Sequence, residues 1–421
     1  MIKTKTLNSG VRLAVNEMKG FEGVSVKLFV FVGSSNEKNE KDHGISHLIE
    51  HMFFKGTKTR TSLDIVKEFD KYGIQTNAYT TKTNTCYFTY GTKDTVEKSV
   101  ELLSDMFFNS TFDSEELIKE KQVVIEEINM YQDMPDSQCE ILMDSIFYNG
   151  TTFAHDIAGT EESVSKISRE QILDYFSKNY TPKNIILSLA GNISFEEAEN
   201  LINKYFEKNF KQKESFVFNP VVTNYKIEKN QAVIYKDTNQ AQVKIAYKTT
   251  NNFSEDENRL NLVISYMLGG GMSSRLFQEV REKLGLVYTI YSSNDVNYLS
   301  GMFNIGFGTN LKNLPLALKT IKKVIEEVKQ NGFTEEELMQ AKNMLISSIK
   351  LRSDSPSDSA SNMALQLQNK NRIISKEDMI ELYKNVTLKD VNKQLLNIFT
   401  DKYCITMVSS KNNIDLIKSF D

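Results

Sequence analysis

The feature that most constrains the fold of this chain is an internal repeat. The stretch FDSEEL at residues 112–117 recurs as FTEEEL at residues 333–338. In each copy a residue suited to N-capping, Asp113 or Thr334, is followed three places later by Glu, which is the capping-box spacing at the start of a helix. Two copies of one element in a chain of 421 residues indicate two related domains.

The correspondence extends on both sides of this helix. Alternating apolar and polar residues at 24–30 and 241–247 predict a strand in each half. Near the end of each half a second strand-like run, at 184–189 and 403–408, is followed by an amphipathic helix. We therefore predict two related α+β domains, an N-terminal domain 1–210 and a C-terminal domain 231–421, joined by a polar linker 211–230 that contains Pro220.

The two copies differ where chemistry would reside. Residues 47–52 read HLIEHM, whereas the corresponding residues 261–266 read NLVISY. On the capped helix, three acidic residues of the first copy have uncharged counterparts in the second: Glu120, Glu126 and Glu127 correspond to Ala341, Ser347 and Ser348. Side chains with a structural role would be needed in both halves. Their loss from one half predicts that the first domain carries a functional site and that the second supports it.

Histidines cluster at this site. Three of the four histidines of the chain, His43, His47 and His51, fall within nine positions. Residues four apart share a face of a helix, so His47 and His51 can point at one ion, with Glu50 beside them. Imidazole suits zinc, and a catalytic zinc site has three protein ligands and one open position. We interpret His43 as a solvated helix start, and the fourth histidine, His155, as a surface or hydrogen-bonded residue.

The third ligand is expected on the capped helix. Glu120 and Glu127 are seven residues apart and share a face, whereas Glu126 lies about 100° round the helix from Glu127. Only one of the adjacent pair can ligate easily. We favour Glu127, with Glu120 supporting the site from the same face.

With these residues in place, the sequence resembles the M16 family of inverted zinc peptidases, which includes insulin-degrading enzyme, pitrilysin and the mitochondrial processing peptidase. The resemblance rests on HxxEH at 47–51 followed by Glu127, 76 residues after His51 (127 minus 51). It implies that His47, His51 and Glu127 bind one Zn²⁺ per chain, that Glu50 is the general base and that Glu120 assists it. It also implies the LuxS/MPP-like metallohydrolase fold, in which each domain is a mostly antiparallel sheet packed with helices and two domains form half of a clamshell.

Further residues match the family elsewhere in the chain. One segment is similar to the strand that pairs with an extended substrate: Asn77, Ala78, Tyr79 and Thr80. In the second half, Arg281 and Tyr288 have the spacing of an Arg and a Tyr that reach the active site in the family. The chain resembles the short bacterial branch. Because it keeps both the zinc motif and the Arg/Tyr pair, the resemblance implies a homodimer in which each pair serves the partner's zinc.

We therefore expect a metalloendopeptidase that hydrolyses short or unfolded peptides bound as an added strand in an enclosed chamber. One alternative is a non-catalytic peptide-binding or scaffold subunit of an M16-like heterodimer. Another is a zinc hydrolase that acts on non-peptide substrates. Manganese or cobalt could occupy the same ligands in vitro.

Composition excludes other classes. No stretch approaches the roughly 18 apolar residues of a membrane span, and a formal net charge of −4 with mixed signs gives no footprint for nucleic acid. Three distant cysteines, Cys86, Cys139 and Cys404, support neither a disulfide framework nor a cysteine zinc site. The first residues lack the apolar core of a secretory signal, so we expect a cytoplasmic protein.

Overall fold

A computed structural model describes residues 2–211, 213–214, 216–217 and 225–421. The chain divides into two units, each assembled from three stretches of sequence. The first unit comprises Met1–Asn129, His155–Asn219 and Leu351–Ile373, and the second comprises Met130–Ala154, Pro220–Lys350 and Ile374–Asp421. The predicted domains 1–210 and 231–421 supply most of these units, but each half also contributes a segment to the other unit. In the predicted linker 211–230, residues 212, 215 and 218–224, including Pro220, lie outside the described residues.

The described residues form eleven strands and fifteen α-helices. In chain order, the strands are β1 (Ile2–Thr6), β2 (Arg12–Glu17), β3 (Gly23–Val30), β4 (Gln75–Thr80), β5 (Thr85–Thr92), β6 (Ile185–Gly191), β7 (Asn230–Tyr235), β8 (Ala241–Thr249), β9 (Val287–Val296), β10 (Gly301–Thr309) and β11 (Tyr403–Ser409). The helices are α1 (Ile45–Met52), α2 (Ser62–Lys71), α3 (Val96–Asn109), α4 (Ser114–Asp133), α5 (Pro135–Phe147), α6 (Glu161–Lys166), α7 (Arg169–Asn179), α8 (Phe195–Tyr205), α9 (Glu255–Gly269), α10 (Leu314–Asn331), α11 (Glu335–Ser353), α12 (Pro356–Lys370), α13 (Lys376–Lys384), α14 (Leu388–Ile398) and α15 (Leu416–Phe420).

Each unit contains one sheet, and the two sheets have the same topology. The first has the order β1-β2-β6-β3-β5-β4 and the second β7-β11-β8-β10-β9. The pairs β2–β6 and β7–β11 are parallel, and the other neighbouring strands are antiparallel. Apart from the additional edge strand β1, the second sheet therefore repeats the first strand by strand. The predicted α+β class, with two related and mostly antiparallel sheets packed with helices, is confirmed.

One face of each sheet is covered by a helix from the other half of the chain. In the first unit α12 packs on β2, β3 and β6, and in the second unit α5 packs on β7, β8 and β11. Strands β6 and β11 are buried along their whole length, and β3 along nearly all of it. Strands that are apolar on both faces need a layer on each side. The exchanged helices supply the second layer.

A lysine, buried in the first unit and half-buried in the second, and a buried hydroxyl anchor each exchanged helix. In the first unit Lys27 Nζ donates to Ser361 Oγ (2.8 Å) and Ser188 Oγ to the carbonyl of Ala360 (2.7 Å). In the second unit Lys244 Nζ donates to Glu140 Oε1 (2.5 Å) and Thr406 Oγ1 to the carbonyl of Cys139 (3.3 Å). The strand ladders pair Lys27 with Ser188 and Lys244 with Thr406.

This register corrects the alignment of the two halves by one residue. Matching 184–189 with 403–408 placed Ser188 opposite Met407, whereas the ladders make Ser188 the counterpart of Thr406. Strand side chains alternate between faces, so a one-residue slip exchanges them. Because these strands are apolar on both faces, the sequence pattern did not distinguish the two registers.

Among the described residues, no helix combines the length and apolar character needed to cross a bilayer.

Candidate metal centre

Helix α1 carries the HxxEH residues and is held in place by its apolar side chains. Four of these are fully buried: Ile45, Leu48, Ile49 and Met52. Their spacings of three and four residues place them on one side of the helix, against the core. His47 and Glu50 are each 9% exposed, at the margin of that core.

Helix α4 supplies the carboxylates. Asp113 Oδ1 accepts hydrogen bonds from the backbone N–H groups of Glu115 (2.9 Å) and Glu116 (3.1 Å), so the predicted N-cap is present. Buried side chains orient the helix: Leu117, Val124, Ile125 and Ile128. Its Glu120 and Glu127 lie on the side that meets α1, where both contact the histidines.

Two imidazoles and one carboxylate converge. Oε2 of Glu127 lies 3.7 Å from Nε2 of His47 and 3.5 Å from Nε2 of His51. The candidate ligand atoms of these three residues all lie within 4.8 Å of one another. A tetrahedral zinc ion with ligands at roughly 2.0–2.1 Å sets its donor atoms about 3.4 Å apart, so the spacing and the chemistry of the set fit one zinc ion. Glu126 is exposed and is not part of this cluster.

Glu120 holds the far side of the His51 ring. Its Oε2 lies 3.2 Å from Nδ1 of His51, and its Oε1 is 2.7 Å from Nζ of Lys55. Glu120 therefore contacts a candidate ligand and lies outside the His47, His51 and Glu127 cluster. A carboxylate behind a metal-binding histidine fixes the tautomer and the orientation of the ring. Lys55, which the sequence reasoning did not single out, follows His51 by four residues, and that spacing was the available signal.

The two histidines differ in their electrostatic surroundings. Burial, followed by the neighbouring His51, lowers the pKa of His47 to about 4. Burial also acts to lower the pKa of His51, but the carboxylates of Glu120 and Glu127 outweigh it and raise that pKa to about 9. Glu127 thus lies between a His47 imidazole whose pKa is lowered and a His51 imidazole whose pKa is raised. A cation bound between these groups would compete with protons for the His51 imidazole.

Glu50 is hydrogen bonded to the edge strand. Thr80 Oγ1 donates to Glu50 Oε2 at 2.6 Å. Burial raises the pKa of Glu50, and the bond from Thr80 opposes this rise. Thr80 belongs to the segment predicted to bind substrate through its main chain, and its hydroxyl contacts the carboxylate of Glu50.

The predicted substrate segment lies at the open side of the first sheet. β4 is the last strand in the order of this sheet, and its described ladder partner is β5. Thr76, Ala78 and Thr80 are half-buried, whereas Asn77 and Tyr79 are exposed. The Oδ1 atom of Asn77 accepts the backbone N–H of Ala78 at 2.8 Å. The outer edge of β4 can accept another strand.

Arg281 and Tyr288 lie in the second unit, close to each other. Arg281 is in a π-helix, Phe277–Glu282, and its guanidinium carbon lies 5.4 Å from the centre of the Tyr288 ring and 4.5 Å from that of Phe277. Tyr288 is 74% exposed near the start of β9. The cation–π contact joins the two residues into one polar pair on the surface of their unit.

The two remaining histidines form a second cluster in the first unit. The rings of His43 and His155 stack at 3.7 Å with 7° between their planes. Nε2 of His155 lies 3.2 Å from Oε2 of Glu37, a carboxylate that is 1% exposed. His43 is half-buried, with one face of its ring against His155. Glu37 carried no sequence signal beyond its place before the motif.

Two histidines and a carboxylate are a ligand set found in zinc hydrolases, and a further glutamate beside them can serve as a base. The chain belongs to peptidase family M16. The family described as "Insulinase (Peptidase family M16)" matches residues 13–161, and the family described as "Peptidase M16 inactive domain" matches residues 166–345. The resemblance inferred from the motif is thereby confirmed.

Bacterial relatives agree with this assignment, and two solved structures share the fold. An uncharacterized zinc protease of Bacillus subtilis, YmxG, is 33% identical over 419 residues, which cover 98% of this chain and 100% of that protein. An uncharacterized zinc protease of Rickettsia bellii is 31% identical over 414 residues, covering 96% and 97%. The crystal structure of a peptidase M16 inactive domain from Pseudomonas fluorescens has a TM-score of 0.89 at 20% identity, covering 98% of each chain. A protease from Helicobacter pylori has a TM-score of 0.88 at 24% identity, covering 97% and 99%.

Proposed function

We propose that this chain is a zinc-dependent endopeptidase of the short M16 type, with one zinc ion held by His47, His51 and Glu127. The observation that carries the proposal is the convergence of these three side chains beside Glu50. The name zinc protease that similar bacterial proteins bear supports the same activity.

Glu50 is the general base in this proposal. Zinc bound at the three ligands would supply Lewis acidity that acidifies a water molecule and polarises the scissile carbonyl. The Glu50 carboxylate accepts the proton of the attacking water and delivers it to the leaving amine. Thr80 holds one oxygen of that carboxylate, so proton transfer uses the other oxygen. Glu120 holds His51 in the orientation that presents Nε2.

The substrate is a peptide in extended conformation. Its main chain pairs with the outer edge of β4 at residues 77–80, which provides affinity with little dependence on side chains. Substrates are therefore short or unfolded, because a folded protein cannot offer an unpaired strand. Arg281 and Tyr288 donate hydrogen bonds to substrate carbonyls or to the developing oxyanion.

We propose a two-fold homodimer as the active assembly. In such a dimer the Arg281 and Tyr288 pair of one chain serves the zinc of its partner, and both sites are complete. Tyr288 is largely exposed on its own unit. In this arrangement its side chain would have a role at the partner's zinc site.

The rival function is a non-catalytic peptide-binding subunit. The description "inactive domain" covers residues 166–345, the half in which Asn261, Ile264 and Ser265 stand where the first half has its motif. The first half retains every ligand and the base. This asymmetry favours the enzyme.

The deciding experiment compares the purified chain with its Glu50→Gln variant on a set of unstructured peptides, with zinc content measured in parallel. We expect cleavage by the unmodified chain, its loss on chelation and its return with added zinc. Glu50→Gln should bind about one zinc ion per chain and cleave nothing. Glu126→Gln, at an exposed position of α4, is the control and should cleave normally.

Each contrary outcome identifies what is wrong. A zinc-loaded chain that binds peptides without cleaving them would establish the non-catalytic subunit. Cleavage by Glu50→Gln at the normal rate would remove Glu50 from its role.

A further inference from the structure

Helix α1 does not cap its own N-terminus. The cap position is Gly44, which has no side chain and a φ of 90°, and the first turn contains no acidic residue. The corresponding helix α9 of the second unit has three acidic residues in its first turn: Glu255, Asp256 and Glu257. The first N–H groups of a helix have no partner within the helix and favour a nearby negative charge. The metal-binding helix must therefore obtain this partner elsewhere.

Glu37 is that partner. Its Oε2 accepts the backbone N–H of Gly44 and its Oε1 that of Ser46, both at 2.9 Å. The carboxylate is 1% exposed. Ser46 precedes His47 directly, so the capped turn is the one that begins the motif.

His155 braces Glu37 from the other side. Nε2 of His155 lies 3.2 Å from Oε2 of Glu37, and its ring stacks on that of His43, one residue before Gly44. The carbonyl of His155 accepts a hydrogen bond from Nζ of Lys82 at 2.5 Å. A Cβ on Gly44 would lie 2.5 Å from the carbonyl oxygen of Ala158, so the chain after His155 rests against the start of the helix.

We propose that Glu37 and His155 are positioning residues of the hydrolytic site, which act by fixing the axial position of α1. The inference rests on the proposed function. His47, Glu50 and His51 are all on this eight-residue helix, so a small shift of its first turn moves two ligands and the base relative to Glu127. Displacements on the order of 1 Å at a reacting group lower rates about 100-fold.

The test measures the zinc dissociation constant, kcat, KM and the thermal unfolding midpoint of Glu37→Gln. Gln keeps the size of the side chain but places an N–H₂ group against backbone donors. We expect the zinc dissociation constant to rise and kcat to fall by about ten-fold or more, with KM changed less than about two-fold. The matched control is Glu207→Gln, since Glu207 also binds a backbone N–H, that of Ser9 at 2.8 Å, away from α1. It should leave zinc binding and kcat unchanged.

A pair of His155 variants keeps the proposal testable if Glu37→Gln does not fold. His155→Gln retains an N–H donor towards Glu37 and should behave like the unmodified chain, whereas His155→Leu should lose zinc affinity and kcat. If these variants lower only the unfolding midpoint, with zinc affinity and kcat within about two-fold of normal, the positioning role is wrong. If the unmodified chain cleaves no peptide, the proposed function fails, and zinc affinity alone decides whether Glu37 positions the helix.

Discussion

Nδ1 of His51 lies 3.2 Å from Oε2 of Glu120, on the opposite side of the ring from the Nε2 atom that faces Glu127. A carboxylate at this nitrogen accepts a hydrogen bond from its N–H group, and it favours the neutral tautomer whose lone pair is on Nε2, the atom that could bind a metal ion. In the proposed zinc site, Glu120 would thus favour Nε2 as the ligand nitrogen of His51.

Replacing Glu120 should weaken zinc binding without abolishing it. Glu120→Gln can still accept a hydrogen bond, but it lacks the charge that balances Lys55 and polarises the ring. We expect the zinc dissociation constant to rise about 10- to 100-fold, as for other partners of metal ligands. Competition with a chelating dye measures this. Glu116→Gln, one turn earlier on α4 and paired with Lys119 at the surface, should bind zinc normally.

Replacing one or the other of the two adjacent glutamates of α4, Glu126 and Glu127, should have very different effects on zinc content. Glu127→Ala removes a ligand, and we expect the zinc content to fall from about one ion per chain towards zero after dialysis. Glu126→Ala changes an exposed side chain and should retain the ion. Elemental analysis of both proteins decides between them, and loss of zinc from the Glu126 variant alone would reverse the assignment.

Removing the hydroxyl of Thr80 should lower the rate of peptide hydrolysis. Thr80→Val keeps the shape of the side chain but removes the hydrogen-bond donor to Glu50. A hydrogen bond to a carboxylate is worth about 1.5–3 kcal/mol. Its loss in the transition state corresponds to a kcat lower by roughly 10- to 100-fold. Thr80→Ser keeps the donor and should recover most of the activity. Zinc content should be unchanged in both. Equal rates for Val and Ser would show that the hydrogen bond does not assist Glu50.

Mixing two inactive variants tests the proposed dimer. Glu50→Gln and Tyr288→Phe each impair every site of their own homodimer. If Tyr288 serves the partner's zinc, a mixed dimer has one doubly impaired site and one intact site, so random pairing restores about a quarter of normal activity. If Tyr288 serves its own chain, mixing restores nothing. Peptide cleavage before and after subunit exchange gives the answer.

Acid should lower the stability of the first unit by protonating Asp105. Burial acts to raise the pKa of Asp105, but hydrogen bonds from Arg60, Asn109 and Thr57 outweigh it and hold this pKa below its ordinary value of 3.8. A depressed folded-state pKa stabilises the fold above the ordinary value, and the stabilisation is lost as pH falls through the folded value. Asp105→Asn should therefore cost about 1–3 kcal/mol at pH 7. The difference in the free energy of unfolding between this variant and the unmodified chain should shrink below about pH 4. A difference that does not depend on pH would contradict this prediction.

Local periodicity explains which parts of the site could be predicted. Residues four or seven apart share a face of a helix, so His47 with His51, and Glu120 with Glu127, could be paired from their spacing alone. The comparison of the two halves then indicated which half carries the candidate ligands. The contact of Thr80 with Glu50 had no such signal, because it joins a strand to a helix 30 residues away.

The sequence alone determined the two-fold repeat, the α+β class, the candidate metal ligands and the family, because each depends on composition or on spacing within one element. The tertiary structure alone decided that α5 and α12 each cover the sheet built by the other half of the chain, which strand register relates the halves, and that Glu37 caps α1. These features depend on which distant surfaces meet. Strands that are apolar on both faces require a covering layer but do not specify which helix supplies it, and a buried carboxylate finds its backbone donors only when the chain has folded around it.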